Sequence, residues 1–366
     1  MSEIKIDENK KEEYFTLFKQ LKKEHQDEVP ENNNSKILII DFLNTFIRSW
    51  TGSPALNNNG EHIGGVTGFL YSIGTAIRMF GPTRCILVSD GENSAARKRK
   101  IYPDYKEKRS VKFSVNRQYD FKNEEEEKKA MYLQMQMLLG YLEYMPIQMV
   151  TADATEADDT IAYLAQDVFC KNENKVIIMS SDKDFLQLVD ERINVWSPTK
   201  KKLYTPKSVL DEYGVYTNNF LFYRTLDGDK SDNIPGVDGV GLKTLKKNMP
   251  FFAEEQRTSI NEIIEFATKK NEGKKKLKFY ENIINSKDIL EMNEKLMDLK
   301  VPNISESNKA KIRHQIDKKI PLLNKTKLLT MYIHDGLSSA MGDFSSWSSQ
   351  TLTKLNSYAN TQNGEN

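Results

Sequence analysis

Five short apolar runs constrain this chain more than any other feature. They read KILII before Asp41, CILVS before Asp90, PIQMV before Thr151, KVIIMSS before Asp182 and INVW before Ser197. Because they are apolar and β-branched at nearly every position, they predict strands of a parallel sheet buried on both faces. Helical patterns such as GGVTGFLYSIGTAIRMF and EEEEKKAMYLQMQMLLGYLEYM lie between them. That alternation predicts a doubly wound, mostly parallel α/β domain. With 366 residues, 38% of them hydrophobic, the chain can bury one such core and carry small attachments.

Three of the runs end in aspartate. Ligands of open parallel sheets sit beyond the carboxyl ends of the strands, so Asp41, Asp90 and Asp182 are expected to face one crevice. A fourth acidic group follows in TADATEADDTIAYLAQDVF. Thr155 and Asp158 have the spacing of a capping box, and Ala157, Ile161, Leu164, Ala165 and Val168 mark the buried face of the helix it would start. Glu156, Asp158 and Asp159 then fall in its first turn, at the same edge of the sheet. The helix dipole accounts for one or two acids there better than for three. Carboxylates that converge repel one another unless cations bind between them. An all-oxygen site without His or Cys selects hard divalent ions, Mg²⁺ or Mn²⁺, and two such ions suit phosphodiester hydrolysis. The four isolated histidines, and Cys85 and Cys170 far apart, give no zinc or disulfide spacing, which fits a reducing cytoplasm. No run is long enough to span a membrane, and the opening MSEIKIDENKKEEYF is too charged for a signal peptide.

Net charge is only +1, so affinity for a polyanion must come from local segregation. Segment 97–117, RKRKIYPDYKEKRSVKFSVNR, has nine Lys or Arg against Asp104 and Glu107, interleaved with Tyr102, Tyr105 and Phe113. Such density attracts phosphates, and interspersed aromatics stack on unpaired bases. Arg97, Arg99, Lys100 and Tyr105 are therefore candidate nucleic-acid contacts.

These stretches together resemble the metal-dependent 5′ nucleases, which include flap endonucleases, the 5′ nuclease domains of bacterial DNA polymerases and phage ribonuclease H enzymes. The matching elements are IDFLNTF, LVSDG, YPDYKEKR, EADD, SSDKDFLQLV and GDKSDNIPGVDGVGLKT, in the family's order from about residue 40 to 245. VWSPTKKK and KLLTMYIHDGLSS extend the likeness to the T-even-type phage ribonuclease H subgroup. The resemblance implies a PIN-like core with a helical arch and a helix–two-turns–helix small domain. It implies a 5′ to 3′ exonuclease and flap endonuclease that removes RNA primers and adjoining DNA in lagging-strand replication. It assigns Asp41, Asp90, Glu156, Asp158 and Asp182 to a tighter metal site and Asp184, Asp229 and Asp232 to a second, with Asp159 between them. Lys106 and Arg109 would belong to the arch and neutralise the reacting phosphate.

Asp229 and Asp232, three apart, can share one face of a helical turn and aim at a metal. Gly236, Gly239 and Gly241 free the backbone to approach a phosphate backbone or a monovalent ion such as K⁺, and Lys243, Lys246 and Lys247 open a helix suited to a duplex strand. Gly236 to Thr244 nearly spells a P-loop, but Leu242 separates the last glycine from the lysine and no apolar strand precedes it.

The expected organisation is a polar arm over 1–35, a nuclease core over 36–220 with the arch at 97–130, a duplex-binding region over 221–300, a helical cap over 301–345 and a flexible tail over 346–366. The expected partners are forked, flapped or nicked DNA and RNA–DNA duplex, with a sliding clamp and a single-stranded-DNA-binding protein as further candidates. Tyr14, Phe15, Phe18 and Leu21 of the arm are a candidate clamp anchor. A monomer in the host cytoplasm is expected. A catalytically silent branched-DNA binder predicts missing acids, and a small acidic-crevice endoribonuclease would not need the basic segment.

Overall fold

The computed structural model of the chain describes residues 35–107, 116, 119–272 and 276–364. All five apolar runs form strands: β1 (Lys36–Asp41), β2 (Arg84–Val88), β3 (Gln148–Val150), β4 (Lys175–Met179) and β5 (Ile193–Ser197). They are mutually parallel in the order β3-β2-β1-β4-β5. A short β6 (Lys202–Tyr204) adds antiparallel to β5, pairing Ser197 with Lys202. Its three residues, KLY, follow a lysine run and carry no apolar pattern, so the sequence gives no sign of it.

Successive side chains of a strand point to opposite faces. Ile37 and Ile39 of β1 join one core, with helix Ala157–Tyr163, the helices between Pro206 and Ile284, and helix Glu306–Asp317. Leu38 and Ile40 join the other, under helices Phe42–Gly52, Gly64–Phe80, Glu124–Leu142, Lys325–His334 and Phe344–Asn363. The first core runs without a break from the strands into the region expected as a separate duplex-binding unit. The segment expected as one cap divides between the two faces.

The expectation of a flexible tail from residue 346 is corrected. Phe344–Asn363 is a twenty-residue helix, N-capped by Asp343 and ended by Gly364 in the left-handed region. Phe344, Trp347, Thr351, Leu352, Leu355 and Ala359 form its buried stripe, at the three- and four-residue spacing of a helix face. Ser and Thr fill the positions between, and that composition hides the stripe. The amphipathic patch of the N-terminal arm lies outside the described residues.

Candidate active site

The carboxyl edge of the sheet carries the acidic residues, as the strand ends predict. Asp41 closes β1 and caps the helix that follows, accepting from Asn44 N at 3.1 Å and from Ser180 Oγ at 3.0 Å. Asp182 follows β4 and caps the 3₁₀ turn Lys183–Leu188 through Asp184 N at 2.8 Å. The hydroxyl of Ser180 also accepts from Asp182 N at 3.1 Å, so one serine holds both carboxylate-bearing turns.

Asp90 has a different local role. Its Oδ1 accepts from Ala157 N at 2.9 Å, so the acid after β2 caps the helix Ala157–Tyr163 from across the sheet. The capping box expected from Thr155 and Asp158 is therefore corrected. Glu156 is the N-cap residue and makes no side-chain cap bond, while the Thr155 hydroxyl donates to Asp153 O at 3.3 Å and accepts from Asn308 at 2.8 Å. A local motif competed with a non-local acceptor already placed at the helix start, and the latter won.

The carboxylates then separate by charge balance. Burial, and next the charges of Asp182 and Asp41, raise Asp158 well above the ordinary carboxylate range. Burial, followed by the charge of Asp184, pushes Asp182 up to about 7. Burial, with a smaller contribution from Asp90, pushes Asp41 up to about 6 against its hydrogen bonds from Asn44 and Ser180. Glu156 goes the other way. Its burial is outweighed by Lys98 and Lys106, which hold its carboxyl down at about 2. Lys98 Nζ lies 2.6 Å from Glu156 and 3.3 Å from Asp159, Lys106 Nζ pairs with Glu156, and the Tyr105 hydroxyl donates to Glu156 at 3.0 Å. The second oxygen of Asp159 accepts from Asn303 N at 2.8 Å.

Tyr105, expected as a stacking surface, is 2% exposed, and its ring belongs to a small core with Ala95, Leu221 and Ile234. It cannot stack on a base from there; its hydroxyl serves Glu156 instead. Arg97 and Arg99 also serve the local fold, bonding Asn303 Oδ1 at 2.8 Å and Tyr105 O at 3.2 Å. Lys100 is exposed. Arg109 lies outside the described residues.

The 229–232 motif is also corrected. Asp229 and Ile234 form an antiparallel bridge closed by a tight turn, so Asp229 and Asp232 do not share a helical face. Asp229 pairs with Arg224 at 2.7 Å, whereas Asp232 lies 3.3 Å from the Tyr105 hydroxyl and 3.8 Å from Lys106 Nζ. This turn docks on the turn at 103–107: Lys106 N donates to Asp232 O and Asn233 Nδ2 to Asp104 O, each at 2.9 Å. Lys106 and Asn233 both occupy the left-handed region, with φ of 57° and 60°. Such conformations in non-glycine residues cost on the order of 1–3 kcal/mol and persist where surroundings over-determine them.

Gly236 is required by packing, since a Cβ there would lie 2.3 Å from Asp227 O. Gly239 (φ 77°) and Gly241 are exposed, and a Cβ on either would meet nothing. Lys243 is exposed, and Lys246 donates to Glu212 O at 3.0 Å.

Two residues that sequence reading did not single out hold the site together. Lys98 lies within the basic run of segment 97–117, and Arg224 within the largely apolar stretch FLFYRTLD. Arg224 is fully buried and bonds Asp184, Asp227 and Asp229. Among the described residues no three His, Cys, Asp or Glu side chains form a ready-made metal cage. The donor set nonetheless fits a hard divalent cation. Asp41, Asp158 and Asp182 are all-oxygen donors whose charges oppose one another's ionisation, and a cation would relieve that.

One consequence is measurable without substrate. A group whose pKa is raised on folding contributes stability that is full below its unfolded value and is lost as pH rises through the folded one. For Asp41 and Asp182 the loss spans the interval from 3.8 up to about 6 and about 7. Thermal melts in EDTA are expected to show Tm falling between about pH 4 and pH 7 and levelling off above, and the gain from added Mg²⁺ growing over the same range. A flat or rising Tm in EDTA would show that these carboxylates do not repel one another.

Residues 36–214 match the family model of the 5′-3′ exonuclease N-terminal, resolvase-like domain. The 5′-3′ exonuclease of Buchnera aphidicola subsp. Schizaphis graminum is 31% identical over 218 residues, which cover 59% of this chain and 70% of that protein. The flap endonuclease Xni of Shewanella sp. (strain MR-4) is 30% identical over 218 residues, covering 60% and 76%. A bacteriophage T5 flap endonuclease, solved with DNA and metal ions, shares the fold at a TM-score of 0.58 and 18% identity, over 83% of this chain and 99% of that one.

Proposed function

Because this chain belongs to the 5′-3′ exonuclease and flap endonuclease family and is a metal-dependent nuclease, we propose that it works with two divalent ions, Mg²⁺ with Mn²⁺ as substitute, and removes RNA primers and adjoining DNA in phage lagging-strand replication. The observation that carries the two-ion reading is the unbalanced group Asp41, Asp158 and Asp182 beside a second acidic group, Asp184, Asp229 and Asp232.

The first ion is assigned to Asp41, Asp158 and Asp182, with Asp90 and Glu156 at its margin, and the second to Asp184, Asp229 and Asp232. Asp159, held by Lys98 and Asn303, supports the first group. When bound, the ions supply Lewis acidity at the scissile phosphate and a more acidic water. The protein's own part is positioning and charge. Lys106 holds its ammonium on Glu156 and 5.0 Å from the centre of the Tyr105 ring. Moving from Glu156 to a phosphate oxygen exchanges one anion for another and leaves no lone buried ammonium. Arg109 is proposed to assist from the arch.

Gly239, Gly241, Lys243 and Lys246 support a duplex-facing surface, and a K⁺ ion at the glycine turns is part of the same reading. The substrates are then forked, flapped or nicked DNA and RNA–DNA duplex. A sliding clamp and a single-stranded-DNA-binding protein are the proposed partners, in the host cytoplasm, with the enzyme a monomer.

The test is one panel of 5′-end-labelled substrates, flapped, nicked and RNA-primed, incubated with and without Mg²⁺. Short products from flapped and RNA-primed duplexes, dependent on Mg²⁺, are expected. Cleavage of single-stranded RNA alone, or binding to forks without cleavage, would refute the assignment.

A further inference from the structure

The acidic edge divides into two halves that are neutralised differently. Around Asp41, Asp158 and Asp182 the carboxylates raise one another, and Lys106 acts on Asp41 and Asp158 through its field. The other half is built on a guanidinium. Arg224 is 0% exposed and reaches three aspartates from two parts of the chain. Nε meets Asp184 of the turn after β4 at 2.5 Å, Nη1 meets Asp227 at the end of its own helix at 3.1 Å, and Nη2 meets Asp229 of the next turn at 2.7 Å. Nη1 also donates to Gly228 O at 2.9 Å. Lys183 lies 3.2 Å from Asp227. The remaining oxygen of Asp229 accepts from Ser231 N at 2.7 Å and Ser231 Oγ at 2.6 Å. A guanidinium has a fixed planar fork of donors, so three carboxylates bound to it are fixed relative to one another, which an ammonium would not achieve.

We propose that Arg224 is a built-in counter-ion and positioning residue of the nuclease site. It assembles Asp184 and Asp229 before any divalent ion arrives and lowers the demand of that half for external cation. The inference rests on the metal-dependent reading of the site and adds a residue to it. Arg224 touches neither substrate nor reacting atoms in this role; it acts through the carboxylates. It also accounts for Asp227, which the functional reading leaves without a task.

A plain buried ion pair and a positioning counter-ion make opposite predictions for the metal. Removing the guanidinium charge by Arg224→Gln leaves three carboxylates facing one another, so the half-saturating Mg²⁺ concentration should fall, on the order of tenfold. The same change frees Asp184 and Asp229 to move, so kcat on a flapped duplex at saturating Mg²⁺ should fall by about 10- to 100-fold. Arg224→Lys keeps the charge without the fork. It should hold the wild-type Mg²⁺ dependence while losing kcat.

The substrate-free readout is Tm titrated with Mg²⁺ and with Ca²⁺. Arg224→Gln should start lower in EDTA and rise more steeply than wild type. Asp227→Asn, which removes one spoke and keeps the guanidinium, serves if Arg224→Gln does not fold, and should lower kcat with wild-type Mg²⁺ dependence. Parallel Tm curves with an unchanged or raised Mg²⁺ requirement would reduce Arg224 to a structural ion pair and overturn the proposal. Absence of any cleavage by the wild type would instead refute the nuclease reading, and the Tm titrations would still decide the role of Arg224.

Discussion

Asp182→Asn is expected to lower the rate of flap cleavage about 10³-fold or more, since losing the metal ligand proposed at this position removes several kcal/mol of transition-state stabilisation. It is also expected to stabilise the metal-free protein. The native carboxylate caps the turn Lys183–Leu188 by accepting from Asp184 N, and an asparagine oxygen can accept the same bond. What the substitution removes is the charge, which burial and Asp184 already oppose. The turn should therefore persist while the repulsion with Asp41 and Asp158 disappears. Tm in EDTA at about pH 8 should rise above wild type, and the response of Tm to Mg²⁺ should shrink. Binding to a forked duplex should survive, because the exposed Lys243 and the turns at Gly239 and Gly241, proposed to face the duplex, are untouched. Wild-type turnover in this variant would remove Asp182 from the reaction. A Tm below wild type in EDTA would make it a structural residue. Opposite signs for activity and stability at one position are what a site built for an ion predicts.

What the sequence made legible follows from the range of the interactions involved. Strand identity depends on local apolar runs, and all five runs are strands; the aspartates that end them lie at the expected edge because a parallel sheet brings like ends together. The unanticipated features depend on partners distant in sequence. Asp90 caps a helix 67 positions away, which no local motif encodes. Arg224 sits in FLFYRTLD, where a lone arginine in an apolar helix reads as a polar face, yet the helix is buried around it. The acid-rich stretch after it was visible, and its need for an internal cation was the available signal. In the helix Phe344–Asn363 composition masks period: Phe344, Trp347, Thr351 and Leu355 keep a helical interval within a Ser- and Thr-rich stretch. The basic neighbours of Tyr105 suggest a surface residue, whereas its ring packs with Ala95, Leu221 and Ile234.

Lys98→Met is expected to be strongly destabilising. Lys98 is 5% exposed on the short helix Ala96–Ile101, and its ammonium joins Glu156 at 2.6 Å to Asp159 at 3.3 Å. Burial disfavours that ammonium, but the charges of Asp159 and Glu156 outweigh it and keep it protonated throughout the working range. Methionine fills similar volume, so packing changes little. Two buried carboxylates lose a shared cation, and removing one partner of a buried pair costs about 3–5 kcal/mol, or on the order of 10 °C in Tm for a domain of this class. Lys106 remains on Glu156, which should spare that residue more than Asp159, whose other contact is Asn303 N. The loss should therefore propagate to the loop at Asn303 and loosen Arg97, which bonds the same asparagine. A spectroscopic signature separates this from general unfolding. With Lys98 gone, Glu156 rises from about 2 toward the ordinary carboxylate range, so the titration of its carboxyl carbon followed by NMR should move to higher pH. Lys98→Arg, which retains the charge, should recover part of the stability and restore the low titration of Glu156. A Lys98→Met protein within about 0.5 kcal/mol of wild type, the range of ordinary surface substitutions, would mean that Lys106 alone balances the pair and that Lys98 is dispensable.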